Sequence, residues 1–282
     1  MQLAKTKLHM VACIFTLCFI CVWSTWVYGA TTLNLPGAYT IGLGGASATG
    51  LADTGLTLRN PAGLAALSDN RFVWETYWVD GMQAHLLGLL QENQNGWSGG
   101  LYMMYMDGQG SDDYFDFGYA VAAGPWNGLS LGVTAHYMKG AKINEAMSGW
   151  SLDVGALQDF GVIRLGASMR NAWSGGAGVT YNEETGTGVP QEIRAGIAID
   201  LSAVELRLDA VKVQDAEELV YAGGLSIGIQ NTKINGGVTK EGDTLAYSCG
   251  FSLPFKTSEL TFGAQWENGS KPVISAGLTY RF

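Results

Sequence analysis

His85 and His136 are the only imidazoles beyond the first thirty residues, and Cys249 is the only thiol there. His136 follows Ser130 and Thr134 at even spacing, so on a strand the three share one face, where an imidazole could draw a proton from a hydroxyl for acyl transfer. No motif ties them to an orienting acid, and isolated polar residues on a wall are the better account. The sequence carries no metal-ligand cluster, no phosphate-binding glycine loop and no basic-aromatic patch, so no cofactor is expected. A second set is more informative. Asp153, Arg164, Arg170, Arg194, Glu205, Arg207 and Asp209 sit among apolar neighbours in short segments, with both signs on adjacent segments. Buried charges must be paired or hydrated, so these residues read first as ion pairs fastening an interior element. A ladder that selects a solute is the second reading.

The elements that would carry these charges alternate with period two from about residue 70 onward. Ile193, Ala195, Ile197 and Ile199 point one way and Glu192, Arg194, Gly196 and Ala198 the other. Val204, Leu206, Leu208 and Ala210 likewise oppose Glu205, Arg207 and Asp209. Alternation suits two architectures, a soluble sandwich with the oily face inward and a membrane barrel with it outward. Connection lengths separate them. Strands of about ten residues fall near 70–79, 82–92, 96–106, 113–124, 128–138, 148–157, 160–171, 191–200, 202–213, 218–229, 231–240, 242–253, 258–267 and 271–282. Connections after even strands are short. Several after odd strands are long, notably Asp107 to Asp112, Lys139 to Met147 and Gly175 to Pro190, although Asp80-Gly81 and Glu241-Gly242 are not. That asymmetry is the mark of an outer-membrane barrel. Trp74, Trp78, Trp97, Trp126, Trp150, Trp173 and Trp266 fall mostly near strand ends, where interfacial rings belong, and Cys249 is placed facing lipid.

Both ends fit export to such a membrane. Lys5 and Lys7 precede an apolar run from Leu8 to Tyr28 that ends in small residues, the pattern of a cleaved signal peptide over 1–30; the alternative is an uncleaved anchor. Cleavage leaves 252 residues with 14 basic and 25 acidic side chains, a formal charge of −11. Nucleic acid is therefore not expected as a partner. Forty glycines against six prolines suit a curved sheet with tight turns. At the other end Ile274, Ala276, Leu278, Tyr280 and Phe282 alternate to a terminal aromatic, and Tyr280 and Phe282 resemble the signal read by the barrel-assembly machinery.

Residues 31–69 do not alternate. Ala46 to Ala52 and Pro61 to Ala66 each suit a short helix, the second with Asn60 as N-cap and Pro61 at N1. A fourteen-stranded lumen is wide enough to hold such a segment. Gly42-Leu43-Gly44-Gly45-Ala46, then Ala52-Asp53, then Asn60-Pro61-Ala62-Gly63-Leu64 resembles the N-terminal signature of the FadL/TodX and PorV/PorQ-like outer-membrane proteins. The resemblance implies an all-β, fourteen-stranded antiparallel transmembrane barrel over 70–282, with residues 31–69 as a luminal hatch. It also implies a kinked third strand with a lateral gap, for which Gly99 and Gly100 are the candidates here. The chain is shorter than FadL and lacks long hydrophobic outer loops, which sets long-chain fatty acid aside. Three functions follow: a hatch-gated passive transporter of small hydrophobic molecules, a PorV-like non-conducting barrel serving a secreted or surface protein, and a wall enzyme. The partners expected are outer-membrane lipid, the assembly machinery, and a hydrophobic ligand or a secreted protein.

Overall fold

The computed structural model describes residues 37–51, 59–79, 81–107, 114–142, 145–177, 189–267, 269 and 271–282, without the side chains of 140–142, 145–147 and 177. The expected signal peptide, the outer connections 108–113 and 178–188, and Ala52 and Asp53 of the N-terminal signature lie outside the described residues.

Alternating side chains on extended backbone give fourteen strands: β1 (Arg71–Val79), β2 (Met82–Gln94), β3 (Trp97–Asp107), β4 (Tyr114–Trp126), β5 (Leu129–Lys142), β6 (Glu145–Asp159), β7 (Ile163–Ala177), β8 (Glu192–Asp200), β9 (Val204–Val213), β10 (Val220–Ile229), β11 (Thr232–Glu241), β12 (Thr244–Pro254), β13 (Ser258–Glu267) and β14 (Val273–Arg281). Each pairs antiparallel with its neighbours in sequence. β1 also pairs with β14, from Arg71 opposite Arg281 to Trp78 opposite Ile274, which closes the sheet and leaves no free edge. One closed barrel excludes the two-sheet sandwich.

At the rim that holds the start of β1 and the end of β14, here the lower rim, connections are tight. Asn95-Gly96 and Asn127-Gly128 have positive φ at both residues, the backbone of the two-residue hairpin that Asn-Gly favours. The upper rim is uneven. Lys139 to Met147, expected as a long loop, is instead mostly wall: Lys142 pairs with Glu145, and only 143–144 connect the strands. Lys139, Lys142, Asn144 and Glu145 give that stretch the composition of a loop and hide its pairing.

Burial fixes the two surfaces. Leu129, Leu131, Val133 and Tyr137 on β5 are exposed outward, while Ser130, Thr134, His136 and Met138 between them are buried inward. On β9 Leu206 and Leu208 face out, and Arg207 and Asp209 face in. An oily exterior around a polar interior is the polarity of a barrel immersed in hydrocarbon. Trp78, Trp97 and Trp126 are exposed at strand ends, while Trp150 and Trp173 are exposed further inside β6 and β7. Trp74 likewise lies within β1, opposite Leu278 and Leu87, so the rings mark the strand ends only in part. Cys249 stands on the outward row of β12, between Tyr247 and Phe251. Tyr280 and Phe282 also face out, their rings stacked 6.2 Å apart.

The N-terminal segment lies inside the wall. Helix α1 (Ala38–Gly42) packs against β11 to β14, and a 3-10 turn at Pro61–Ala66 packs against β2 to β6. The helix expected over Ala46 to Ala52 does not form in its described part, and α1 lies earlier in the chain. Gly44 and Gly45 take positive φ, and the amides of Ser47 and Ala48 bond to a wall carboxylate rather than to a preceding turn.

Candidate functional site: the lumen

Glycines of the wall make room for the segment. A Cβ on Gly166 would sit 1.9 Å from Ala48 O, on Gly263 2.1 Å from Ala38 O, on Gly132 2.4 Å from Ala62 N, and on Gly237 2.4 Å from Gly44 N. Several of these glycines face each other across neighbouring strands, as Gly132 with Gly155, Gly166 with Gly196, Gly224 with Gly237 and Gly250 with Gly263. The segment's backbone therefore rests directly on the wall's backbone. Beyond curvature and tight turns, the high glycine count of the sequence has this close approach as a further cause, which shows only when the registers are known.

Charged side chains fix the segment where it touches β7 to β9. Asp209 Oδ2 accepts from Ser47 N at 2.6 Å, Ala48 N at 2.8 Å and Arg194 Nη1 at 3.1 Å. Arg194 also donates to Gly45 O at 2.9 Å and meets Glu192 at 3.2 Å. Glu192 in turn lies 3.6 Å from Arg59 of the segment. Burial, with Arg194 close by, lowers the Arg59 guanidinium to about 9, against the pull of Glu192. Arg164 contacts Thr49 O at 3.4 Å and pairs with Glu205, which also receives Arg207 at 3.0 Å. Burial raises the Tyr39 phenol above its ordinary range, and its hydroxyl lies 3.2 Å from Ser226 Oγ and 3.3 Å from Glu205.

Of the signature residues, Asn60 is the most heavily used. Its Oδ1 accepts from Ala62 N at 3.1 Å, capping the Pro61–Ala66 turn, and its Nδ2 donates to Ala48 O at 2.6 Å and to Ala156 O at 3.2 Å. One carboxamide thus joins both halves of the segment to β6. Gly44 and Gly45 supply the bend and carbonyls that Thr239 and Arg194 hold, while Ala46, Pro61, Ala62 and Gly63 are buried.

Asp153 and Arg170 are placed elsewhere. They belong to a cluster around His136 that the sequence did not disclose, because its members come from β3, β4, β5, β6 and β7. His136 Nε2 lies 2.8 Å from Asp153 Oδ2, and its Nδ1 lies 3.4 Å from both oxygens of Asp116 and against the Tyr102 hydroxyl. Arg170 Nε is 3.7 Å from Asp153. A register shift where β6 meets β7, with Asn171 at positive φ, brings Asn171 N to within 2.7 Å of Asp153 Oδ1. His136 is thus no isolated wall residue, and its neighbours are acids rather than the hydroxyls of Ser130 and Thr134.

The lumen above the segment has two unlike sectors. On β1 to β5 the inward side chains of Tyr77, Val79, Ala84, Leu86, Tyr102, Met104, Tyr114 and Met138 are buried and pack with one another and with Ile41 of α1 in one apolar cluster. Val189, from the connection between β7 and β8, packs against the same cluster. On β7 to β9 the inward positions hold the charges described above. Gly99 and Gly100 lie lower in the wall, level with the Pro61–Ala66 turn, where Leu90 and Ala120, the strand partners of Gly100, pack with Leu64, Ala65 and Leu67; Gly100 faces in and Gly99 out toward Tyr119 and Gln91. β3 is paired on both sides through these glycines, and the nearest irregularity is a register shift between Gln91 and Gln94 of β2.

A closed fourteen-stranded antiparallel barrel with its N-terminal segment folded into the lumen is the class these observations define. No family model and no curated protein sequence matches the chain. Among solved structures it is similar to the CymD monoaromatic hydrocarbon channel, with TM-score 0.67 and 14% identity over 90% of this chain and 99% of that one. It is also similar to the Ralstonia pickettii toluene transporter TbuX, with TM-score 0.66 and 10% identity over 90% and 100%. A Pseudomonas aeruginosa FadL homologue matches with TM-score 0.62 and 11% identity over 92% and 100%. These likenesses establish a shared fold.

Proposed function

We propose that the chain is an outer-membrane barrel through which small hydrophobic molecules pass, with the luminal segment as the gate, and that it is not an enzyme. The carrying observation is the apolar sector on β1 to β5, inside a wall whose outer face is already greasy. A water-filled porin lumen is polar all round; inward Leu86, Met104 and Met138 instead suit a solute that prefers them to water. Structural neighbours whose names describe them as toluene transporters and a hydrocarbon channel support this reading. In it the lower rim faces the periplasm, and Gly99 with Gly100 is the place where the wall would open sideways. Native mass spectrometry of the purified barrel tests the proposal. A hydrophobic molecule of low mass, lost on Met104→Asp, is the expected finding; a barrel that carries nothing and takes up no added toluene would overturn it.

The packing of the segment on wall glycines favours a second reading, a non-conducting PorV-like barrel that serves a secreted or surface protein. A stoichiometric protein co-purifying with a ligand-free barrel would choose it.

A further inference from the structure

The apolar sector ends in a polar pole, and the chemistry of that pole restricts the solute. Tyr102 and Tyr114 belong to the apolar cluster by their rings, and the Tyr102 hydroxyl turns to Asp116 and His136. The two carboxylates here are engaged unequally. Asp153 is bonded at 2.8 Å to His136 and at 2.7 Å to Asn171 N. The contacts of Asp116 with Tyr102 and His136 are all 3.4 Å, the long end of hydrogen-bond geometry. A carboxylate has about four acceptor sites, so Asp116 has capacity for a better donor. Next to His136 across the β5–β6 ladder stands Ser151, also inward, 1% exposed, and its hydroxyl has no hydrogen-bond partner. A buried hydroxyl that the fold leaves without a partner is able to donate to a polar group of another molecule. The basic side chains of the pole, His136 and Arg170, already face acids, so an arriving carboxylate meets Asp116 and Asp153 without a basic partner of its own.

We infer that the sector selects small aromatic molecules bearing a neutral hydrogen-bond donor, phenols above all, over the bare hydrocarbon and against the carboxylate of the same skeleton. Asp116 accepts the solute's O–H and Ser151 donates to its oxygen, while Met104, Met138 and Leu86 hold the ring. This inference rests on the passage of hydrophobic solutes proposed above, and one series separates the two.

Toluene, 4-methylphenol and 4-methylbenzoate share a skeleton and differ in one group. Calorimetric titration of the full-length barrel in detergent should show 4-methylphenol binding on the order of tenfold tighter than toluene and 4-methylbenzoate more weakly than either. Ser151→Ala should lower affinity for the phenol and leave toluene unchanged, and Asp116→Asn should also relax the exclusion of the benzoate. Heat-modifiable migration on gels checks that each variant is folded, and Ser151→Ala suffices if Asp116→Asn is not. Toluene binding with no preference for the phenol, or equal binding of the benzoate, would overturn the inference and leave the transport reading standing. No binding by any of the three would overturn both.

Discussion

At the residue scale a few polar side chains of the wall hold the luminal segment in place. Asp209 is the most committed, since one oxygen accepts two backbone amides of the segment and a guanidinium. Asp209→Ala leaves those donors buried without their acceptor, a loss of roughly 3 kcal/mol. Limited proteolysis should then cut within residues 37–51 at protease levels that leave the parent protein whole. Glu192→Gln is expected to cost a similar amount, roughly 3 kcal/mol, because Arg59 and Arg194 would face each other without the carboxylate between them; urea unfolding in detergent measures it. The sequence reads these charges first as ion pairs, ahead of a solute-selecting ladder, because both signs fall on adjacent segments; five of the seven are buried and Arg170 and Glu205 partly so. Their assignment was not legible. Which acid meets which base depends on register, and Asp116, decisive for His136, reads in sequence as one more acid between Phe115 and Phe117.

At the scale of elements, all fourteen strands were legible from period two and from turn residues, because each strand has one face against oil and one against the interior. What failed were stretches governed by tertiary contact. Lys139 to Met147 reads as loop but is wall, and the short helix moved to Ala38–Gly42, where small residues meet wall glycines. Those glycines give the sharpest test of the packing. In Gly166→Ala the new methyl falls 1.9 Å from the carbonyl of Ala48, whereas in Gly99→Ala it meets nothing closer than 3.6 Å. The first should therefore lower the melting temperature by several degrees and loosen the segment, and the second should leave both unchanged. Equal behaviour would mean that the segment does not rest on the wall there.

For the whole molecule, closure of β1 on β14 defines an inside, and the division of that inside into apolar and charged sectors is the property on which function turns. The period-two pattern gave the two faces of each strand, but the sectors arise from which strands become neighbours and which inward positions are apolar, a sum over five strands that no single segment announces. Removing residues 37–67 should open the lumen, so planar-bilayer conductance is expected to rise from near zero to that of a wide pore, with no rise counting against a gating role.

The most direct measurement of the central claim is solute uptake by Gram-negative host cells that display the barrel in a lipopolysaccharide-bearing outer membrane, comparing radiolabelled toluene with arabinose. The account predicts faster uptake of toluene, unchanged uptake of arabinose, and loss of the toluene gain in Met104→Asp. Faster arabinose uptake with toluene unaffected would contradict it.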